Sequence, residues 1–166
     1  MSTPAERAAA RRPVEIRPAQ IADLDALVAL EHAAFATDRA ARRAIRHAIG
    51  SPTMSLLVAV AKDGGSDILV GAATLERRRT NRSARLSSLA VAPARTGTGL
   101  GRLLLEAAEA DARSHGCERL RLEVRADNGG GIRLYERGGY ARTGTKPDYY
   151  ADGMEAWRYE KALTEE

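Results

Sequence analysis

The run Val91-Ala92-Pro93-Ala94-Arg95-Thr96-Gly97-Thr98-Gly99-Leu100-Gly101-Arg102 decides how the chain is read, because an apolar, strand-like stretch meets alternating glycines and then feeds an amphipathic helix. Glycine removes the side chains that would hold a ligand off the main chain, and the first turn of a helix carries unpaired N–H donors at the positive end of the peptide dipoles. The segment therefore reads as an anion-binding turn. A nucleoside-triphosphate loop needs Gly-Lys followed by Ser or Thr, whereas Gly101 is followed by Arg102 and Leu103. A dinucleotide fingerprint counted from Gly97 meets Arg102 where its third glycine belongs, which weakens that alternative, although Glu123 stands about 20 residues downstream as that motif requires. A glycine-rich loop with no ligand is the remaining alternative for the turn taken alone.

Outward from this turn the chain alternates strands and helices. Val14-Glu15-Ile16-Arg17 reads as a strand, and Ile21 to Leu30 spaces its leucines three or four apart, as a helix with one buried face does. After a break near Thr37-Asp38, a basic helix is expected over Arg39 to Ile49. Leu56 to Val60 and Ile68 to Leu75 form a hairpin about the turn residues Lys62 to Asp67. Arg77 to Arg85 is expected as a polar connection and Leu86 to Val91 as the strand ending at the glycines. Gly99 to Ala112 makes the long helix, with Leu100, Leu103, Leu104 and Ala107 on its apolar side. Leu120 to Val124 follows as a strand exposing Arg121 and Glu123. Asn128 caps a short helix that runs to Arg137 and ends at Gly138-Gly139. Tyr140 to Thr145 and Glu155 to Lys161 are the last strands. Residues 1–13, rich in alanine, arginine and proline, read as a flexible tail, and 14–163 as one domain.

Composition narrows the function. The 166 residues have 44% hydrophobic content and a formal net charge of +4, which suits one globular domain with some attraction for anions. No apolar run approaches the roughly 18 residues of a membrane span, and the first residues lack a hydrophobic signal core, so a cytoplasmic protein is expected. Cys117 is the only cysteine, and His32, His47 and His115 have no metal-ligand spacing, so no metal is expected. Basic and aromatic residues are not interleaved, which argues against nucleic acid as the partner.

The glycine turn, the stretch Leu122-Glu123-Val124-Arg125-Ala126-Asp127-Asn128, and Ile132-Arg133-Leu134-Tyr135-Glu136 with Gly139-Tyr140 together resemble the GNAT superfamily of acetyl-CoA-dependent N-acetyltransferases. The resemblance is closest to the ribosomal-protein N-terminal acetyltransferase branch, RimI, and spans about Val14 to Leu163. It implies a mixed α+β fold. A central, mostly antiparallel sheet of about six to seven strands would splay in a V between strands 4 and 5, flanked by about four helices. It also implies acetyl-CoA as cofactor, held by the backbone of Leu89, Ala90 and Val91, by the turn Arg95, Thr96, Gly97, Thr98, Gly99, Leu100, Gly101 and Arg102, and by Asn128 and Tyr135. Thr96 stands where the family carries Gln or Arg, with Arg95 before it, and Gly129, Gly130 and Gly131 replace the usual alanines, so a loosely formed turn is expected there.

By the same resemblance Glu123 is the base that removes a proton from the acceptor amine, through water, and Tyr135 the acid that protonates the leaving sulfur. Taken without it, Glu123 reads equally as a surface carboxylate and Tyr135 as packing. The acceptor contacts are placed at Phe35, Asp38 and Arg39, between the first helices, and at Glu123, Tyr149 and Tyr150; nothing in the sequence orders Asp38 or Asp152. The implied reaction is direct attack by a primary amine in a ternary complex, the amine being a protein or peptide N-terminus. A small-molecule amine, a lysine side chain and a non-catalytic acyl-CoA sensor are the alternatives. A monomer or homodimer is expected.

Overall fold

The computed structural model describes residues 1, 3–5, 13–78 and 80–163. The expected flexible tail falls largely outside these residues. Between residues 13 and 163 the described chain forms seven strands and four α-helices: β1 (Val14–Pro18), α1 (Leu24–Ala34), α2 (Arg42–Ala48), β2 (Met54–Asp63), β3 (Ser66–Arg77), β4 (Ser83–Val91), α3 (Leu100–Ser114), β5 (Arg119–Arg125), α4 (Gly129–Arg137), β6 (Ala141–Lys146) and β7 (Ala156–Ala162). The strands build one sheet in the order β1-β2-β3-β4-β5-β7-β6. All neighbours are antiparallel except β4 and β5. This is the mixed fold that the resemblance implied.

The sheet is covered on both faces near its centre, which is why β2 is continuously buried from Leu56 to Ala61. Alternation then divides its residues between two cores. Val58 and Val60 pack with Leu24, Leu27 and Leu30 of α1 and Ile45 of α2. Ala59 and Ala61 pack with Leu100, Leu104 and Leu105 of α3 and with Leu120 and Leu122 of β5. Cys117 is buried in this second core, and desolvation raises its thiol pKa.

Several boundaries differ from expectation. The polar connection shrinks to 78–82, because Arg77 still pairs with Ala84 and Glu76 with Arg85. The hairpin turn tightens to Gly64-Gly65, both at positive φ, so Lys62 and Asp67 pair as strand residues. The basic helix begins at Arg42 rather than Arg39. On α3 the buried face is Leu100, Leu104, Leu105, Ala108 and Ala112, while Leu103 is 48% exposed. The apolar set at i, i+4, i+8 and i+12 wins because that stripe meets the sheet squarely.

Four register positions join β4 to β5, from Ser83↔Arg119 to Leu86↔Leu122. Beyond them β4 stays with β3 as far as Val91 and β5 stays with β7 as far as Arg125. The strands therefore part where each is still held by its other neighbour, and the V-shaped splay results. Ala92 donates its N–H to Val70 of β3. Since main-chain groups alternate along a strand, Val91 and Leu89 turn theirs into the splay.

Behind the splay, Gly71 lets α3 lie close to the sheet: a Cβ there would come within 2.7 Å of Leu104 Cδ1 and 3.2 Å of the Ala90 carbonyl oxygen. Gly71→Ala is expected to destabilise the fold by about 1–3 kcal/mol, measured as a lower urea midpoint with unchanged slope.

Candidate active site

Two cavities flank the splay. One, of about 860 Å³, is floored by the glycine turn and the start of α3 and walled by α4. Gly97 and Gly99 both have positive φ, and a Cβ on either would meet nothing within 4 Å, so the turn is open main chain. Of the residues singled out for a cofactor, Leu89, Val91, Arg95, Thr96, Gly97, Gly99, Gly101, Arg102, Asn128 and Tyr135 line this cavity. Ala90 faces the other side, Leu100 is buried in the core, and Thr98 turns its hydroxyl onto the Arg95 carbonyl. Arg95 is almost wholly buried, whereas Thr96 is exposed. Arg133, Arg137 and Lys161, not singled out from the sequence, add cationic side chains to the same wall. Fifteen residues of helix α3 begin at this turn, so its free N–H groups and cations suit the pyrophosphate of a nucleotide cofactor.

The second cavity, of about 420 Å³, lies between α1, α2 and the sheet. Its walls are mostly apolar, from Leu27, Leu30, Ile45 and Leu56, with Glu123, Asp38, Tyr150 and the largely buried Glu31 as polar members. Phe35, Leu89, Asn128 and Tyr135 border both cavities. The two chambers thus meet at the splay, with Tyr135 at the junction.

Glu123 is not the exposed carboxylate that alternation suggested: its side chain is 5% exposed. Arg85 Nε donates to its Oε2 at 2.9 Å, and Arg158 Nη2 lies 3.6 Å from its Oε1. Arg85 also reaches Glu76 and the Tyr149 hydroxyl. Burial is tolerable for this carboxylate because two guanidinium groups face it. Tyr135 is buried, and desolvation raises its pKa well above the ordinary phenol value, so its hydroxyl stays protonated at neutral pH. Its ring packs edge-on against Tyr140 at 5.9 Å between centroids. Asn128 caps α4 by accepting the Gly131 N–H at 3.0 Å. A Cβ on Gly131 would lie 2.7 Å from Asn128 Nδ2. The glycine run, expected to be loose, is the regular first turn of α4, and Gly131 is what lets Asn128 fold back over it.

The rim of the second cavity corrects the expectation that Asp38 and Asp152 are unordered. Arg125 holds Asp152 through two hydrogen bonds, at 2.7 and 3.2 Å, bonds Asp127 at 3.0 Å, and lies 3.9 Å from Asp38. Its guanidinium also stacks 4.9 Å from the centre of the Tyr150 ring. Asp38, at φ 54, accepts the Ala151 N–H at 3.1 Å. Tyr150, part-buried beside the edge-on Tyr149 ring, has its pKa pushed up to about 12, chiefly by desolvation. Arg39 is turned onto the last carbonyls of α1, donating to Phe35 and His32. Arg125 was missed although period-2 alternation puts it on the same face as Glu123, two residues along β5. Among the described residues no cluster of three or more His, Cys, Asp or Glu could hold a metal, and no helix is long and apolar enough to cross a membrane.

Comparison with known proteins agrees with this geometry. The acetyltransferase (GNAT) family model matches residues 22–140, so the chain belongs to the GNAT family, whose members move an acetyl group from acetyl-CoA to an amine. Among solved structures, the chain is similar to the ribosomal-protein-S18-alanine N-acetyltransferase of Escherichia coli, with 25% identity, TM-score 0.79, and 93% of this chain and 96% of the other covered. Nourseothricin acetyltransferase is similar at 26% identity, TM-score 0.74, with 91% and 99% covered. YncA of Salmonella typhimurium, solved with its cofactor acetyl-CoA, shares the fold at 24% identity, TM-score 0.75, with 93% and 96% covered. No curated protein sequence matches.

Removing the Arg125 guanidinium should loosen both segments that frame the second cavity. Arg125→Gln is expected to raise acceptor KM several-fold with little change in the KM for acetyl-CoA, read from initial rates with each substrate varied. Hydrogen bonding to Arg125 lowers the Asp152 pKa below the ordinary carboxylate range, so the clamp is complete above about pH 4 and releases only as pH falls through the lowered value.

Proposed function

We propose that the protein acetylates the α-amine of a protein or peptide N-terminus, using Glu123 as base and Tyr135 as acid. The observation that carries this reading is the meeting of the two cavities at Phe35, Leu89, Asn128 and Tyr135, with a buried carboxylate on one side and an open glycine turn on the other. The likeness to the Escherichia coli S18-alanine N-acetyltransferase supports the α-amine and the branch of the family to which the sequence pointed.

When bound, acetyl-CoA supplies the acetyl group as a thioester, activated toward an amine. The residues of the chain do the rest. The glycine turn and the cations of its cavity anchor the anionic end, while Val91 aims a fixed N–H into the splay, where it opposes negative charge developing on a carbonyl oxygen. Phe35 and the apolar walls keep bulk water from the junction. Glu123 takes the proton from the acceptor amine by way of water. Tyr135 keeps its proton at Oη, available for a departing thiolate, because burial disfavours the phenolate.

A small-molecule amine is the second reading, favoured by the similarity to nourseothricin acetyltransferase and by the enclosed apolar walls of the acceptor cavity. Release of CoA thiol from acetyl-CoA, with product mass, separates the readings when N-terminal peptides, internal-lysine peptides and small amines are compared. One acetyl on the α-amine is the expected product. Tyr135→Phe and Glu123→Gln should each lower kcat by about 10²- to 10⁴-fold, the range of acid–base groups. Tight CoA binding without acetylated product across the panel would point to a sensor.

A further inference from the structure

A third cavity, of about 480 Å³, opens on the uncovered end of the sheet face and shares Met54, Glu76 and Glu123 with the acceptor cavity. Five cationic side chains, Arg77, Arg78, Arg85, Arg121 and Lys146, line it against two carboxylates. Both carboxylates, Glu76 and Glu123, are bonded to Arg85, and Arg77 faces Asp111 at 3.6 Å. Among the described residues Arg78, Arg121 and Lys146 have no carboxylate partner; Lys146 lies 5.6 Å from the centre of the Tyr149 ring.

The sheet register sharpens the imbalance. Arg85 and Arg121 are direct partners across β4 and β5, the pair of strands with four register positions. Like charges directly opposite on a sheet destabilise it. Glu76 and Glu123 answer the charge of Arg85; Arg121 has Glu160 opposite it on β7, but that carboxylate is bonded to Arg119 at 3.0 Å. The Ser83 hydroxyl, on the same cavity wall, is buried without a hydrogen-bond partner among the described residues. A solvated polar face explains charge on this shelf; it does not explain arginines set side by side over an orphaned hydroxyl.

We infer that this cavity is an anion subsite of the acceptor, which takes a carboxylate carried next to the amine, in a peptide an Asp or Glu at the second or third residue. The inference rests on the amine-acetyltransferase reading, and it assigns the acceptor's charge: the amine meets Glu123 where the two cavities join, and the acidic group reaches Arg121, Arg78 and Lys146 beyond it. An acceptor with basic residues in those places meets like charge and is rejected.

The test uses acceptors in matched acidic and neutral pairs from three classes: N-terminal peptides beginning Ala-Glu-Glu or Ala-Ala-Ala, internal-lysine peptides, and small amines with and without a carboxylate. In whichever class is acetylated, the acidic member should have about tenfold higher kcat/KM, the size expected of a hydrogen bond to a charged group. That ratio should fall toward one in the Arg78→Gln/Arg121→Gln variant and on raising salt. Equal use of both members, or a ratio that survives the double substitution, overturns the subsite. If acetylation falls only on lysine or small amines but keeps the ratio, the α-amine reading fails and the subsite stands. Should no acceptor turn over, calorimetric titration with Ala-Glu-Glu peptide and CoA present decides: binding weakened about tenfold by the double substitution supports it, and unchanged binding overturns it.

Discussion

Everything chemical in this molecule depends on β4 and β5 parting company. Two strands that run parallel would ordinarily continue to exchange hydrogen bonds, but here the ladder stops after Leu86↔Leu122. Each strand remains tied to its outer neighbour, so the divergence is imposed by the sheet as a whole rather than by a local defect. Main-chain groups of Leu89 and Val91 are left facing a gap, which would be costly in a dry interior. The fold tolerates this because the gap is the place where its two cavities join.

Around that gap the charges are distributed by task. The glycine-turn cavity has helix N-terminal N–H groups and arginines; the second cavity has carboxylates restrained by arginines, Glu123 by Arg85 and Arg158 and, at its rim, Asp152 by Arg125. Glu123 sits beside the boundary, on the wall of the second cavity, and its neighbours Arg85 and Arg158 keep a buried carboxylate from being an unpaired charge. Tyr135 sits at the same boundary with an opposite device: burial without a cationic partner keeps its proton on. The two side chains thereby stand in opposite surroundings, one among guanidinium groups and one against an aromatic ring.

Much of this was legible in the chain. The glycine turn between a strand and an amphipathic helix marked one wall of the first cavity, and Asn128 with its glycines located the capped helix opposite. Element order was readable because hydrophobic period changes cleanly from one segment to the next. What escaped were features created by cross-strand neighbours. Arg85 looked like part of a polar connection, yet pairing with Glu76 extends β4 past it. Glu123 looked exposed by alternation, yet Tyr149 and two arginines from distant segments close over that face. Leu103 looked buried because leucine three residues from Leu100 fits a helical stripe, but the sheet meets the helix along the i+4 row instead. Such outcomes turn on which strand lies beside which, and local periodicity carries no record of it.

The mouth of the second cavity is framed by one segment from near the start of the chain and another from near its end, joined over 113 positions of sequence by the Ala151–Asp38 hydrogen bond and gathered on Arg125. These two jaws share a hinge pin fixed to the last residue of β5, the strand that also carries Glu123. The width of the mouth and the position of the carboxylate two residues away are therefore set by one and the same strand.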